Sequence, residues 1–392
     1  MHVGVFLGDI QPDAGGGFTF THDLVNAFFA EAVNSIHSFT LICPPDYANA
    51  VSVRPLPANI CVAPLNVREP LARALVALRH YVHLFPVLYR APTRLDRLCA
   101  ARAIQLVWFV GGFHDSPDTP YIATVWDVQH LTHPWFPEVS ARGQWDRREH
   151  FLSRHLRRAS HVITGTSVGR DELVRFYGLQ DSKISLLPHP TPAFALAADP
   201  APVGKAARPY FLYPAQFWAH KNHANLLEGY RRLIDELPDA PGLVLVGSDK
   251  GNRAFVDDQI ARLDLQGRVR VLGFVPTEDL ISLYRGATAL AYASFSGPEN
   301  LPPLEAFALG CSVVASDVPG AREQLGEAAL YFDPASAESI ARALGSVLTD
   351  DDGRRARVAL GRARALAWTG AHYVQGVLGI IDRMSGQRRT WA

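Results

Sequence analysis

The chain has 392 residues, of which 48% are apolar and 19% charged, and its formal net charge is zero. This is a globular profile that excludes a disordered chain, and without a basic excess no nucleic-acid partner is expected. The length exceeds one ordinary core and points to two domains of under about 200 residues each.

The first seven residues are mostly apolar and break at Gly8-Asp9, which reads as a first strand rather than a signal peptide. No run reaches the roughly 18 apolar residues of a membrane span. Strands are predicted at 2–7, 39–43, 106–110, 121–126, 161–164 and 184–187. A second set is predicted at 210–213, 243–246, 269–272, 287–293 and 312–315. Helical patterns lie between them, including 18–30, 222–237 and 278–285, and the tail at 353–384 is helical in character. Strand and helix in alternation predict an α/β chain with parallel, doubly wound sheets.

Pro188, Pro190, Pro192, Pro200, Pro202 and Pro209 fall within 22 positions. Such a stretch is expected to hold neither a helix nor a central strand. It divides the chain into a first domain at 1–190, a linker at 191–209, a second domain at 210–365 and a tail at 366–392. Cys43, Cys61, Cys99 and Cys311 are far apart, form no CxxC, and lie in apolar runs. They read as buried free thiols of a reducing compartment rather than as metal ligands, and no metal site is expected. Of the 38 basic residues only Lys183, Lys205, Lys221 and Lys250 are Lys, so each is of interest.

The most specific segment runs from 287 to 316. A strand leads into Ser294-Phe295-Ser296-Gly297-Pro298-Glu299, then Asn300, Leu301, Pro302 and Pro303, then a helical run that Gly310 ends. Asn is a favoured N-cap, and prolines are at home in a first helical turn. The helix therefore starts at the carboxyl end of a strand, where its free N–H groups make an anion site. Glu305 lies about one turn inside, within reach of hydroxyls on whatever occupies the helix start.

The residues 297–310 and the following Ser312–Ser316, Val318–Glu323 and Ala329–Pro334 stretches resemble, in register, the signature of retaining glycosyltransferases of family 4. That resemblance implies the GT-B architecture, two Rossmann-like domains facing across a cleft, with the tail returning to the first domain. It implies a nucleotide-sugar donor, no metal, diphosphate at the Leu301 helix start, and ribose on Glu305. The family has a second Glu against the sugar, which here falls on Gly297; Glu299 is the nearest acid and the candidate replacement.

Other segments extend the resemblance. Gln216, His220 and Lys221 match the family's phosphate-clamping Arg and Lys element, with Gln at the Arg position and His220 able to add a donor if protonated. Gly247 matches a Val-Gly element near the donor, and Phe274 and Val275 match the segment whose backbone reads the base. In the first half, Gly16 and Gly17 end a Gly-rich loop that faces donor phosphate and acceptor; the contiguous glycines do not make a dinucleotide fingerprint. Asp127 and His130 follow Trp126, which stands where the family has His, and they are candidates for orienting acceptor hydroxyls or accepting a proton. Ser167 is either an N-cap or a contact to acceptor or donor.

The residues expected to carry the chemistry are Lys221, Glu299, Asp127 and His130. Those expected to hold the donor are Gly16, Gly17, Gln216, His220, Gly247, Phe274, Val275, Asn300, Leu301 and Glu305. The reaction implied is hexosyl transfer, with GDP-mannose the favoured donor and a glycan or lipid-linked acceptor of bacterial surface polysaccharide. A cytoplasmic site is expected; the Arg-rich segment 68–102 reads first as ordinary packing with solvated Arg, with docking to the inner membrane face as the alternative. A nucleotide-sugar epimerase or phosphorylase of the same architecture, and a catalytically inactive GT-B binding subunit, remain open.

Overall fold

The computed structural model describes residues 1–8, 16–53, 55–66, 92–111, 117–198 and 209–390. They form two separate, wholly parallel sheets. The first is built from β1 (His2–Phe6), β2 (Ser38–Cys43), β3 (Ile60–Pro64), β4 (Leu106–Phe109), β5 (Tyr121–Thr124), β6 (His161–Thr164) and β7 (Ile184–Leu186). The second holds β8 (Tyr210–Pro214), β9 (Gly242–Val246), β10 (Val269–Gly273), β11 (Ala289–Tyr292), β12 (Val313–Ser316) and β13 (Ala329–Phe332).

The strand orders are β3-β2-β1-β4-β5-β6-β7 and β10-β9-β8-β11-β12-β13. Each order reverses beside its first strand, between β1 and β4 and between β8 and β11. Crevices for ligands open at such reversals, outside the carboxyl ends of the strands. The central strands are short, fully buried apolar runs such as Leu106-Val107-Trp108-Phe109 and Ala289-Leu290-Ala291-Tyr292. Burial on both faces is what helices covering a parallel sheet require.

Two strands escape the sequence reading, β3 and β13, and both lie at sheet edges. An edge strand pairs on one side only, and in each of these the middle residues are partly exposed. The proline stretch also needs correction. A short helix, Ala193–Ala197, stands between Pro192 and Pro200. Pro192 precedes it and no proline falls inside it, so no helical hydrogen bond is lost. The Ala193 N–H donates to Asp23 Oδ2 at 2.7 Å, tying this helix to the first domain. Residues 199–208 of the expected linker lie outside the described residues, as do Gly15 and most of the segment 68–102.

The tail divides at Trp368. Before it, Asp351–Ala367 packs on Leu301–Ala308, close enough that a methyl on Gly361 would lie 2.4 Å from the Phe307 ring. After it, Gly370–Arg388 crosses to the first sheet and packs on Gly16–Glu31. Tyr373, Val374, Val377, Ile380 and Ile381 recur at helical spacing and are buried with Phe20, Leu24 and Phe28. At about 2 kcal/mol for each large side chain, this stripe holds the two ends of the chain together by several kcal/mol.

Candidate active site

A cleft of about 750 Å³ lies between the two sheets, at the carboxyl ends of their strands. Of the fourteen residues singled out from the sequence, thirteen line it, and the exception is His130. Its imidazole is fully buried behind the wall, with Nε2 within 3.2 Å of Glu149 Oε2 and 3.3 Å of the Tyr177 hydroxyl. Burial, together with the Arg148 charge, holds its pKa below the usual histidine value despite Glu149. The structure therefore corrects the expectation that this ring meets an acceptor.

Asp127 does reach the cleft. Its Oδ1 accepts from Arg148 at 2.6 Å and from the Gln129 N–H at 2.9 Å. Burial opposes its charge, but Arg148 and the Gln129 N–H outweigh that and keep it below the usual carboxylate range. It is an ionised acceptor of hydrogen bonds. A second, smaller cavity of about 290 Å³ opens behind it, bounded by Arg147, Arg148 and Phe151.

On the opposite wall Asn300 sits at the N-cap in extended conformation, φ −141° and ψ 135°, but its side chain does not cap. Nδ2 donates to Gly297 O at 2.9 Å, and Oδ1 accepts from the Tyr292 hydroxyl at 2.6 Å. The helix start is also poorer in donors than the sequence suggests. The Asn300 N–H is taken by Gln324 Oε1 at 3.0 Å. Pro302 and Pro303 have no N–H to give. Leu301 is left as the free donor of the first turn, and its side chain is buried in the hydrophobic cluster of the first sheet, across the cleft.

Lys221 compensates. It ends the 3-10 turn Ala219–Lys221, locked by Asn222 in the left-handed region at φ 58°, whose amide donates to Ala293 O and Pro334 O. The ammonium donates to the Tyr292 hydroxyl at 2.9 Å and stands 3.4 Å from Ser294 Oγ and 3.5 Å from Asn300 Oδ1. Among the described residues no carboxylate pairs with it. An unneutralised cation thus points at the helix start, where a cation is otherwise unfavourable.

The neighbours of Lys221 add no second charge. Gln216 Oε1 accepts from Trp218 Nε1 at 3.0 Å. His220 gives its backbone N–H, at 2.9 Å, and its Nδ1 to Glu138 of the first domain. Burial is the main cause of a lowered His220 pKa, and Lys221 adds to it, so the ring is neutral near pH 7. The condition under which His220 would add a charged donor, protonation, is therefore disfavoured.

Glu305 is buried and receives the Tyr284 hydroxyl on Oε2 at 2.6 Å. Burial pushes its carboxyl up to about 7, against the Tyr284 bond and with help from Asp23. Gly16 and Gly17 start the Gly16–Glu31 helix under Leu301 and Trp126, each 3.5 Å from where a Cβ would stand. Gly247 and Val275 complete the wall, and Phe274, 72% exposed, stands at its rim.

Two residues turn into the domain junction. Ser167 is not an N-cap: Thr166 caps that helix, and Ser167 gives its N–H and hydroxyl to Glu323 of the second domain, at 2.6 Å for the hydroxyl. Glu299 is only 3% exposed, and its two oxygens accept from the backbone N–H and Nδ1 of His189 at 2.6 and 2.9 Å. The sequence reading passed over His189. The signal was its position, just past a predicted strand end, hidden among prolines.

The family model described as glycosyl transferases group 1 matches residues 198–364. O-antigen chain mannosyltransferase B of Escherichia coli is 30% identical over 260 residues, 62% of this chain and 65% of its own length. O-antigen chain mannosyltransferase RfbU of Salmonella typhimurium is 26% identical over 196 residues, 50% of this chain and 53% of its own length. The matches thus span just under two thirds and about half of these relatives. Sucrose-phosphate synthase from Thermosynechococcus elongatus superposes with a TM-score of 0.73 at 19% identity, covering 99% of this chain and 100% of that one. That likeness extends the shared fold to both sheets, and the stretch that resembles the group 1 glycosyl transferases holds the wall that carries Lys221, Asn300 and Glu305: the chain has the GT-B architecture, and its second domain is similar to that family.

Proposed function

We propose that the chain is a retaining mannosyltransferase that moves mannose from GDP-mannose to a glycan or lipid-linked acceptor in bacterial surface polysaccharide synthesis. The observation that carries this reading is the Lys221 ammonium, paired with no carboxylate among the described residues, beside the Leu301–Ala308 helix start and lining a cleft shared by both domains. A diphosphate leaving group needs such a fixed charge, already in place when negative charge develops. Glu305 takes the ribose hydroxyls, and the backbone near Phe274 and Val275 meets the base. The acceptor hydroxyl attacks the anomeric carbon from the face that the diphosphate leaves; the bond to the diphosphate breaks as the new glycosidic bond forms, and the leaving phosphate accepts the hydroxyl proton, so no pair of catalytic carboxylates is needed. Asp127 on the first domain's wall orients the acceptor. The two O-antigen mannosyltransferases support mannose and the pathway class. No described helix is long and apolar enough to cross a membrane; we place the enzyme in the cytoplasm, at the inner membrane face.

The deciding experiment is calorimetry of the full chain with GDP-mannose, UDP-glucose, dTDP-glucose and ADP-glucose, and then transfer assays with the tightest ligand. Binding and transfer with GDP-mannose are expected. Tightest binding of another nucleotide-sugar changes the donor, release of an epimer or a sugar phosphate changes the reaction, and affinity for none of them sinks the reading.

Glu305 adds a pH dependence with a definite sign. Its folded pKa, about 7, lies above its ordinary value of 4.5. This group therefore favours the folded state below pH 4.5, and its contribution is lost as pH rises through 7. A carboxylate that accepts two ribose hydroxyls must be ionised, so nucleotide affinity is expected to rise about tenfold from pH 6 to 8 with release of a proton. Titrations in buffers of different ionisation enthalpy check this. A flat affinity profile, or one that Glu305→Gln leaves unchanged, refutes ribose binding by this group.

A further inference from the structure

This inference rests on the function just proposed. The resemblance puts a His at position 126 and, against the sugar, a Glu at position 297. This chain has Trp126 and Gly297. Neither residue supplies what was lost: Trp126 is wedged between Gly17 and Gly111, where a Cβ on Gly111 would stand 2.9 Å from its ring. Gly297 adopts φ 116°, a conformation that strains any residue with a side chain, and a Cβ there would also meet the Asn300 amide at 2.7 Å.

A histidine and a carboxylate nevertheless occupy the space beside both. The His189 ring lies edge-on to Phe20 at 4.8 Å between centroids and 6.3 Å from Trp126, and it lines the cleft. Glu299, two residues after Gly297, crosses from the second domain to meet it. The site for its carboxylate is built into the first domain: Gly165, just beyond β6, leaves the room, since a Cβ there would fall 1.3 Å from Oε2. Both described partners of the carboxylate belong to His189. Because Nδ1 carries the proton given to Glu299, Nε2 is left unprotonated in the neutral ring. It has no partner among the described residues.

We propose that His189 and Glu299 form a cross-domain dyad that reads the donor sugar: Glu299 fixes the ring, and His189 Nε2 accepts a hydrogen bond from a sugar hydroxyl. Glu299 is then a positioning residue rather than the sugar contact itself. The placement agrees with the order of groups in a nucleotide-sugar. Glu305 and Phe274 take the nucleoside end and Lys221 the diphosphate. His189, on the opposite wall and held by the residue next to Asn300, faces the sugar end beyond the diphosphate. The dyad also exists only while the domains are together, which ties sugar reading to the closed cleft.

The test compares GDP with GDP-mannose, or with whichever nucleotide-sugar the donor panel identifies, on the full chain and on His189→Ala, His189→Gln and Glu299→Gln. His189→Ala is expected to keep its affinity for the nucleoside diphosphate within about twofold and to bind the nucleotide-sugar about tenfold more weakly. His189→Gln, which offers a carbonyl oxygen to the same hydroxyl, is expected to recover part of that loss. Nitrogen-15 spectra of histidine-labelled chain report the tautomer directly: Nδ1–H in the parent, and a shift toward Nε2–H in Glu299→Gln. Equal losses for both ligands, no loss in folded His189→Ala, or an unchanged tautomer in Glu299→Gln overturn the dyad. A parent chain that binds and transfers while His189→Ala loses nothing overturns the dyad alone; a parent chain that binds no nucleotide-sugar overturns the function and the dyad together.

Discussion

Lys221→Ala is expected to lower kcat about a hundredfold while leaving the fold intact, the range seen when one preorganised donor to a developing anion is removed. The size reflects the poverty of the helix start. A first helical turn ordinarily offers several N–H groups to an anion. Here two positions are proline, the Asn300 N–H is held by Gln324, and Leu301 alone remains. Gln216 and the neutral His220 bring no charge. On the proposed function, the leaving diphosphate therefore depends, among the described cleft residues, on one cation, fixed by Tyr292, Ser294 and Asn300. Its attachment at the end of a short turn makes the truncation mild for folding. Single-turnover kinetics separate transfer from product release, and a kcat within about threefold of the parent removes Lys221 from the chemistry.

Gly247→Ala is expected to cost about 3 kcal/mol or more and to lower the melting temperature by about 8 °C, the largest stability effect foreseen. The residue directly follows β9 on the cleft wall at φ 153°, with its N–H on Gly273 O at 2.8 Å. A Cβ would lie 2.2 Å from Ala215 O, 2.6 Å from its carbonyl carbon and 2.9 Å from Gln216 Cα. All three are backbone, so relief requires β8 and β9 to part where they form the cleft. Gly251→Ala is the control, since Gly251 also has a positive φ, 101°, but nothing within 4 Å of its Cβ position. If the two variants melt alike, contact with the Ala215 backbone is not what makes glycine necessary.

How much of the fold and the site was legible beforehand depended on range along the chain. The central strands announce themselves as buried apolar runs, and the Leu301–Ala308 helix is framed by its own cap, prolines and Gly310. Local punctuation of this kind located Lys221, Asn300 and Glu305. Edge strands β3 and β13 need only half a face buried and send a weaker signal. The number of free donors at the helix start was not legible because Gln324, which takes the Asn300 N–H, is 24 residues away. His130 and Asp127 are three residues apart yet face different ways, because a single helical turn, Gln129–Thr132, rotates one into the core. His189 and Glu299 lie 110 positions apart and meet only because two separate sheets bring their carboxyl ends together.

Leu301 joins two jobs in one residue. Its N–H is the donor left at the helix start, and its side chain is inserted in the core of the opposite domain, against Gly16. Whatever an anion gains by pulling on this residue and whatever the first domain gains by gripping it are exchanged through the same backbone unit. Such coupling is reciprocal by thermodynamic necessity: the factor by which domain contact raises affinity for the diphosphate equals the factor by which the diphosphate raises domain contact. On the proposed function, donor affinity is thus not a property of one domain, and the second domain expressed alone is expected to bind nucleotide more weakly by that shared factor.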